Sequence, residues 1–96
     1  MSDSILLDRV PPQNLDAERS TLGAMFLEKD AIYRAMEILK PDDFYKEAHR
    51  IIYQVVLDLV NRGEPVDLVT VTEELRQKSA LEKVGGVTYL TELASA

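Results

Sequence analysis

The side chains of this sequence whose types suit catalysis or metal binding are one histidine and two pairs of adjacent acids. The histidine, His49, has Tyr45 and Tyr53 about one helical turn away on either side as its expected neighbours. It has no cysteine and no second histidine with which to complete a metal shell. The acids Asp42 and Asp43, and likewise Glu73 and Glu74, are neighbours in sequence, so on a helix their carboxylates diverge instead of facing each other as general acid and base. We therefore predict a packed, hydrogen-bonded histidine, acids at a helix start and on a solvent face, and no catalytic or metal site.

The glycines do not form a nucleotide-binding loop, which needs closely spaced glycines followed by Lys and Ser or Thr. Gly85 and Gly86 are adjacent, and a helix-breaking turn is a commoner role for such a pair than an anion nest. Gly63 predicts a helix stop, Pro65 the turn after it, and Gly23 a close crossing of two helices. No cofactor site is predicted in this chain.

Composition limits the class of protein. The 96 residues are 46% hydrophobic and 29% charged, which suits one globular domain that buries roughly 60 to 65% of its unfolded surface. There is no cysteine, and no apolar run is long enough for a signal peptide or a membrane span. These features predict a cytoplasmic protein with no membrane contact. The net charge of −6 opposes a sequence-independent grip on nucleic-acid phosphates.

The predicted elements begin after a flexible N-terminal arm, residues 1–13, which shows no sustained periodicity. Asn14 predicts the N-cap of a first helix that ends near Leu27, with Asp16 and Glu18 as first-turn charges that the helix dipole favours. Asp30 predicts the N-cap of a short second helix. The inner face of this second helix is predicted to comprise Ile32, Met36 and Leu39.

The middle of the chain predicts a long central helix from about Tyr45 to Arg62, opened by the two acids at 42 and 43. The segment GEPVDLVTVTEEL, 63–75, is rich in β-branched residues, but its apolar residues follow helical and not alternating spacing. We predict a helix there, capped by Asp67, and a last helix after Gly86. The fold class is all-α, a compact bundle of about five to six short helices around the long central helix. The apolar stripe of that central helix comprises Ala48, Ile51, Ile52, Val55, Val56 and Leu59.

Residues 47–78 also have the order of a helix-turn-helix DNA-binding motif. The presumed recognition helix offers only Arg76 and Lys78 as cations beside two acids, which gives little attraction to phosphate. An independent DNA-binding domain is the alternative interpretation of this chain.

Four strings in order resemble the N-terminal domain of bacterial replicative DNA helicases, the DnaB family. The resemblance covers about residues 9–95. The strings are PPQNLDAERSTLGAMFL (11–27), PDDFYKEAHRIIYQ (41–54), GEPVDLVTVTEEL (63–75) and GGVTYLTELA (85–94).

The resemblance implies that residues 14–96 are a helical head domain of a hexameric, ATP-dependent helicase. Such heads pair in a collar and dock primase. ATP and Mg²⁺ belong to a RecA-like motor that follows a helical hairpin and a linker in the family, as does most contact with DNA; a helicase loader is a further partner. The head by itself would have no catalytic site, since the hairpin, linker and motor would lie beyond Ala96.

By the same resemblance, Tyr89 matches a family position near the primase-facing surface, and Asp16 matches an acidic one; both are candidate partner-binding residues. Packed core is the alternative for Tyr89, because buried aromatics dominate small cores. If Tyr89 faces a partner, Tyr89→Ala should weaken the primase complex and leave thermal stability nearly unchanged. The family more often has Glu and Gln where this chain has Asp16 and Arg19, so a partner contact at this helix start is expected to differ in detail.

Overall fold

The computed structural model describes residues 12–95, and side chains from residue 14 onward. Within that range every regular element is helical, which confirms the predicted all-α class. The predicted arm lies outside the described residues except for its last two positions. The elements are α1 (Pro12–Leu27), α2 (Lys29–Ile38), a 3-10 turn (Pro41–Asp43), α3 (Glu47–Asn61), α4 (Leu68–Gln77) and α5 (Gly86–Ser95).

The first two helices begin earlier than the predicted caps. α1 starts at Pro12, two residues before Asn14, because proline fits the first turn of a helix, where its missing N–H has no intrahelical partner to lose. Glu28, in extended conformation, is the N-cap of α2, so Asp30 lies in the first turn and is not the cap. The predicted inner position Met36 is exposed, and Ala35 is buried in its place.

The central helix α3 is preceded by a separate 3-10 turn. The Asp43 carboxylate accepts the backbone N–H of Lys40 at 2.8 Å and closes that turn, so the two acids do not open α3 as predicted. α3 has 15 residues and α1 has 16, so the central helix is not the longest. It is nevertheless the most buried, with seven buried residues.

Local signals set both ends of the α3–α4 connection. Gly63 has φ +74°, its N–H donates to Val60 O, and the N–H of Glu64 donates to Leu59 O. This pair of bonds is the Schellman pattern, which closes a helix with a left-handed residue. The Asp67 carboxylate accepts the N–H of Thr70 at 2.9 Å, so 68–77 forms a helix and not a strand.

One predicted surface acid is buried. Glu74 is 8% exposed, and its carboxylate accepts from the Arg62 guanidinium at 2.7 and 3.0 Å. The prediction of a solvent-face pair at 73 and 74 is therefore wrong for Glu74. The cause is Arg62, which follows α3 and neutralises the carboxylate there; its hydrogen bond holds the pKa of Glu74 below the usual range.

The core lies where α1, α3, α4 and α5 meet. α1 packs against α2, α3 and α5, and α4 packs against α3 and α5. Tyr53 is fully buried, and its hydroxyl donates to Leu39 O at 2.9 Å. Fully buried side chains from the four helices include Leu22, Met25, Ile52, Val55, Val56, Leu59, Val71, Leu75, Leu90 and Leu93.

Candidate protein-interaction surface

The two residues predicted to face partners lie on neighbouring helices. Asp16 is exposed near the start of α1, and Tyr89 is partly buried on α5, which packs against α1. Arg19 connects them, because its guanidinium pairs with the Asp16 carboxylate and its charge acts on the Tyr89 phenol. Burial raises the pKa of Tyr89, and Arg19 offsets part of that rise. The structure therefore brings Asp16, Arg19 and Tyr89 to one surface, here called the Tyr89 surface.

The hydroxyl of Tyr89 points into the protein. Its oxygen lies 2.6 Å from Nε2 of His49, and the His49 side chain is completely buried. The two rings are nearly parallel, 9° apart with centroids separated by 6.0 Å. Lys46, directly before α3, makes a cation–π contact with Tyr89: its ammonium lies 4.9 Å from the centroid of the Tyr89 ring. Tyr89 is therefore held by two contacts, one from His49 in α3 to its hydroxyl and one from Lys46 before α3 to its ring.

Glu18 of α1 is the centre of this arrangement. Its carboxylate lies 2.6 Å from His49 Nδ1 and accepts the backbone N–H groups of Tyr45 at 2.6 Å and Lys46 at 3.4 Å. These N–H groups precede α3, which has no cap from its own side chains. Glu18 thus supplies from another helix the negative charge that favours the N-terminus of α3.

The environment moves the pKa of both buried partners. Burial of Glu18 would raise its pKa, but the hydrogen bonds from Tyr45, His49 and Lys46 outweigh burial and hold that pKa below its usual range. Burial lowers the pKa of His49, and the Glu18 carboxylate opposes this only in part. At neutral pH the group is therefore an ionised Glu18 beside a neutral His49.

The sequence predicted a packed and hydrogen-bonded His49, and the structure confirms it. The identity of its partners was not predicted: the expected neighbours were tyrosines one turn away, whereas the actual ones are 31 and 40 residues distant. Glu18 was interpreted only as helix-start charge. No local pattern carries a contact across such separations.

The predicted structural residues lie elsewhere. Gly63 and Pro65 line an open cleft of about 350 Å³ between the end of α1, the start of α2 and the α3–α4 connection. Gly23 is buried within α1. Leu27, which lines the cleft, is 66% exposed, so the cleft has an exposed apolar side chain at the end of α1. Ile38, at the other end of α2, is 76% exposed. In residues 14–95, acids and histidine do not cluster in a way that could hold a metal ion.

The outer face of α4 is poorly suited to DNA. Arg76 donates to Glu73 at 2.7 Å, and the Lys78 ammonium lies 3.5 Å from Asp58 and 3.7 Å from Glu74. The cations that a helix-turn-helix would offer to phosphate are thus paired with acids of the same domain. No helix in the described range is long and apolar enough to cross a membrane.

Comparison with known proteins places the chain in a family. The sequence matches the family described as DnaB-like helicase N terminal domain over residues 10–96. It is 54% identical over 92 residues to the replicative DNA helicase DnaC of Bacillus subtilis, a match that covers 96% of this chain and 20% of the relative. It is also 54% identical over 89 residues to the replicative DNA helicase DnaB of Geobacillus stearothermophilus, covering 93% of this chain and 20% of that protein.

A solved structure agrees with the sequence matches. The crystal structure of the N-terminal domain of DnaB helicase from Mycobacterium tuberculosis superposes with a TM-score of 0.85 and 51% identity, covering 90% of this chain and 62% of that one. The chain spans about a fifth of the length of the curated relatives it matches. On the family match and these identities, the chain belongs to the DnaB-like helicase N-terminal domain family.

Proposed function

We propose that this chain is the protein-interaction head of an ATP-dependent hexameric replicative DNA helicase in the bacterial cytoplasm. The observation that carries the proposal is the 54% identity, over nearly the whole chain, to a replicative DNA helicase. The head pairs with other heads in a collar and docks primase, which couples unwinding of the fork to priming. A helicase loader is a further partner.

Chemistry and DNA contact are assigned to other parts of the parent helicase. ATP and Mg²⁺ would bind its motor domain, since the described residues offer neither a phosphate-cradling loop nor an acid cluster for the metal. Electrostatics supports the same division. The net charge of −6 and the paired cations of α4 weaken any attraction of the head to the DNA backbone.

The Tyr89 surface is the proposed primase-docking site. It combines the exposed acid Asp16, the cation Arg19 and the partly exposed Tyr89, and side chains of this mixed type at a rigid site suit recognition of another protein. The cleft lined by the exposed Leu27 is the proposed contact for head pairing, because it lies at the end of α1 opposite to Asp16 and exposes an apolar side chain.

The test is a titration of the chain against the primase of the same organism, and in parallel against duplex and forked DNA at low salt. We expect primase binding and no tight DNA binding. Asp16→Ala should weaken primase binding, and Asp30→Ala, an exposed acid on α2, serves as the matched control. DNA binding that falls steeply with added salt, without primase binding, would instead favour an independent helix-turn-helix domain.

A further inference from the structure

We propose that His49 and Glu18 are positioning residues, which hold Tyr89 at the Tyr89 surface through one directed chain of hydrogen bonds. The inference rests on the proposed function, in which this surface docks a protein partner. The residues involved belong to three separate elements: Glu18 to α1, His49 to α3 and Tyr89 to α5.

The direction of these hydrogen bonds follows from which groups can donate and which can only accept. An ionised carboxylate only accepts hydrogen bonds, and Glu18 already accepts two backbone N–H groups. The Nδ1 atom of His49, 2.6 Å away, must therefore donate to it. In a neutral imidazole the other nitrogen is then an acceptor, so the Tyr89 hydroxyl, 2.6 Å from Nε2, donates inward.

This direction decides what a partner meets. The hydroxyl proton of Tyr89 is used inside the domain, so the partner contacts the ring and not a free O–H group. The ring is fixed by its hydrogen bond to His49 and by the Lys46 ammonium over its face. A side chain already held in its bound orientation loses less freedom on binding, which for one aromatic corresponds to about 2- to 10-fold in affinity.

The hydrogen bonds of Glu18, His49 and Tyr89 leave no unpaired group in the interior of the described residues. Every buried side-chain nitrogen and oxygen in the described residues has a hydrogen-bond partner. Removing one member therefore leaves another without its hydrogen-bond partner in the interior, which destabilises the present arrangement. The charged groups around the imidazole are Glu18 and Arg19 from α1 and Lys46 from the preceding turn, with Glu92 of α5 near Tyr89.

The first experiment measures the ring nitrogens of His49 by ¹⁵N NMR near neutral pH, which is unambiguous because the chain has one histidine. We expect a protonated Nδ1 and an unprotonated Nε2. Tyr89→Phe should shift the Nε2 resonance and leave Nδ1 protonated, whereas Tyr33→Phe, at an exposed tyrosine, should change neither. A proton on Nε2 in the unaltered chain overturns the inference.

The second experiment compares primase binding by two variants, His49→Gln and His49→Asn, to separate positioning of Tyr89 from general stability. The His49→Gln amide reaches about as far as Nε2 and can accept from Tyr89, whereas the shorter His49→Asn amide reaches about as far as Nδ1 and keeps only the bond to Glu18. At a temperature where circular dichroism shows both folded, we expect His49→Gln, which keeps an acceptor for the Tyr89 hydroxyl, to bind primase about 2- to 10-fold more tightly than His49→Asn, which does not keep one. Equal binding by the two variants overturns the inference.

If either amide variant fails to fold, Tyr89→Phe replaces the pair, since it keeps the ring and removes only the hydroxyl. It should bind primase about 2- to 10-fold more weakly, with Tyr33→Phe unchanged; unchanged binding by Tyr89→Phe overturns the inference. Failure of the unaltered chain to bind primase refutes the proposed function instead, and the NMR result alone then decides whether the directed chain exists.

Discussion

Replacing Gly85 with alanine should destabilise the domain much more than replacing Gly63. Both glycines have positive φ, +113° at Gly85 and +74° at Gly63, where residues with a Cβ are disfavoured. A Cβ on Gly63 would meet nothing within 4 Å, whereas one on Gly85 would lie 2.7 Å from the Cβ of Tyr89. That neighbour is bonded directly to the backbone, so it cannot move away by rotating a side chain.

The expected losses follow from these two contacts. Left-handed backbone costs alanine about 1 to 2 kcal/mol, and alanine regains about 0.4 to 1 kcal/mol by restricting the unfolded chain, so Gly63→Ala should cost at most about 1.6 kcal/mol. Gly85→Ala has a backbone cost of about 1 to 3 kcal/mol and an overpacking cost of about 1 to 3 kcal/mol. After the same gain, its net loss is about 1 to 5.6 kcal/mol.

Thermal unfolding followed by circular dichroism measures the difference. One kcal/mol shifts the Tm of a domain of this size by about 4 to 8 °C, so Gly85→Ala, at a mid-range loss of about 3 kcal/mol, should lower the Tm by about 12 °C or more. Gly86→Ala is a second control, since its φ is +73° and its nearest neighbour, Glu82 Oε1, is 3.7 Å away. Equal losses at Gly85 and Gly63 would refute the close approach of Gly85 to Tyr89.

Three further predictions concern pH, a helix cap and a buried hydroxyl. The folded-state pKa of His49 is below its usual 6.5, so the folded chain binds this proton less tightly than the unfolded chain, and the Tm should fall as pH drops below about 6.5. The pKa of Glu18 is likewise below its usual 4.5, so a second fall in Tm is expected below about pH 4.5. A constant Tm from about pH 7.5 to about pH 5 would contradict the His49 part. Asp67→Ala should cost about 0.5 to 2 kcal/mol in denaturant unfolding, and an unchanged midpoint would argue against the cap. Tyr53→Phe, which leaves the carbonyl of Leu39 without its donor, should cost about 1 to 3 kcal/mol in the same assay, whereas Tyr33→Phe should be neutral.

The burial of Tyr89 changes what its substitution means. From the sequence alone, replacing this residue with alanine was expected to weaken the primase complex and leave stability nearly unchanged. In the structure the phenol is the partner of a fully buried His49, so its removal should also lower stability. Tyr89→Phe and the amide pair at His49 are therefore better probes of docking than Tyr89→Ala.

The sequence by itself determined the helical class and most of the places where helices end. Helical spacing distinguished the 63–75 segment from a strand, and Asp67 and Gly63 act on backbone groups within four residues of themselves. Such signals are local, so they can be recognised in the sequence before the tertiary structure is known. The family resemblance added the head-domain identity, which the family and structural matches confirm.

Only the tertiary structure decided which polar groups meet. Glu74 looked like surface charge until Arg62, 12 residues away, was seen to pair with it, and Glu18 looked like dipole charge until α1 was placed against the start of α3. The contacts of His49 depend on how three helices cross. Periodicity indicates which face of a helix is apolar, but the direction in which one helix crosses another determines which lone acid reaches which buried donor, and that direction is set by the whole core together.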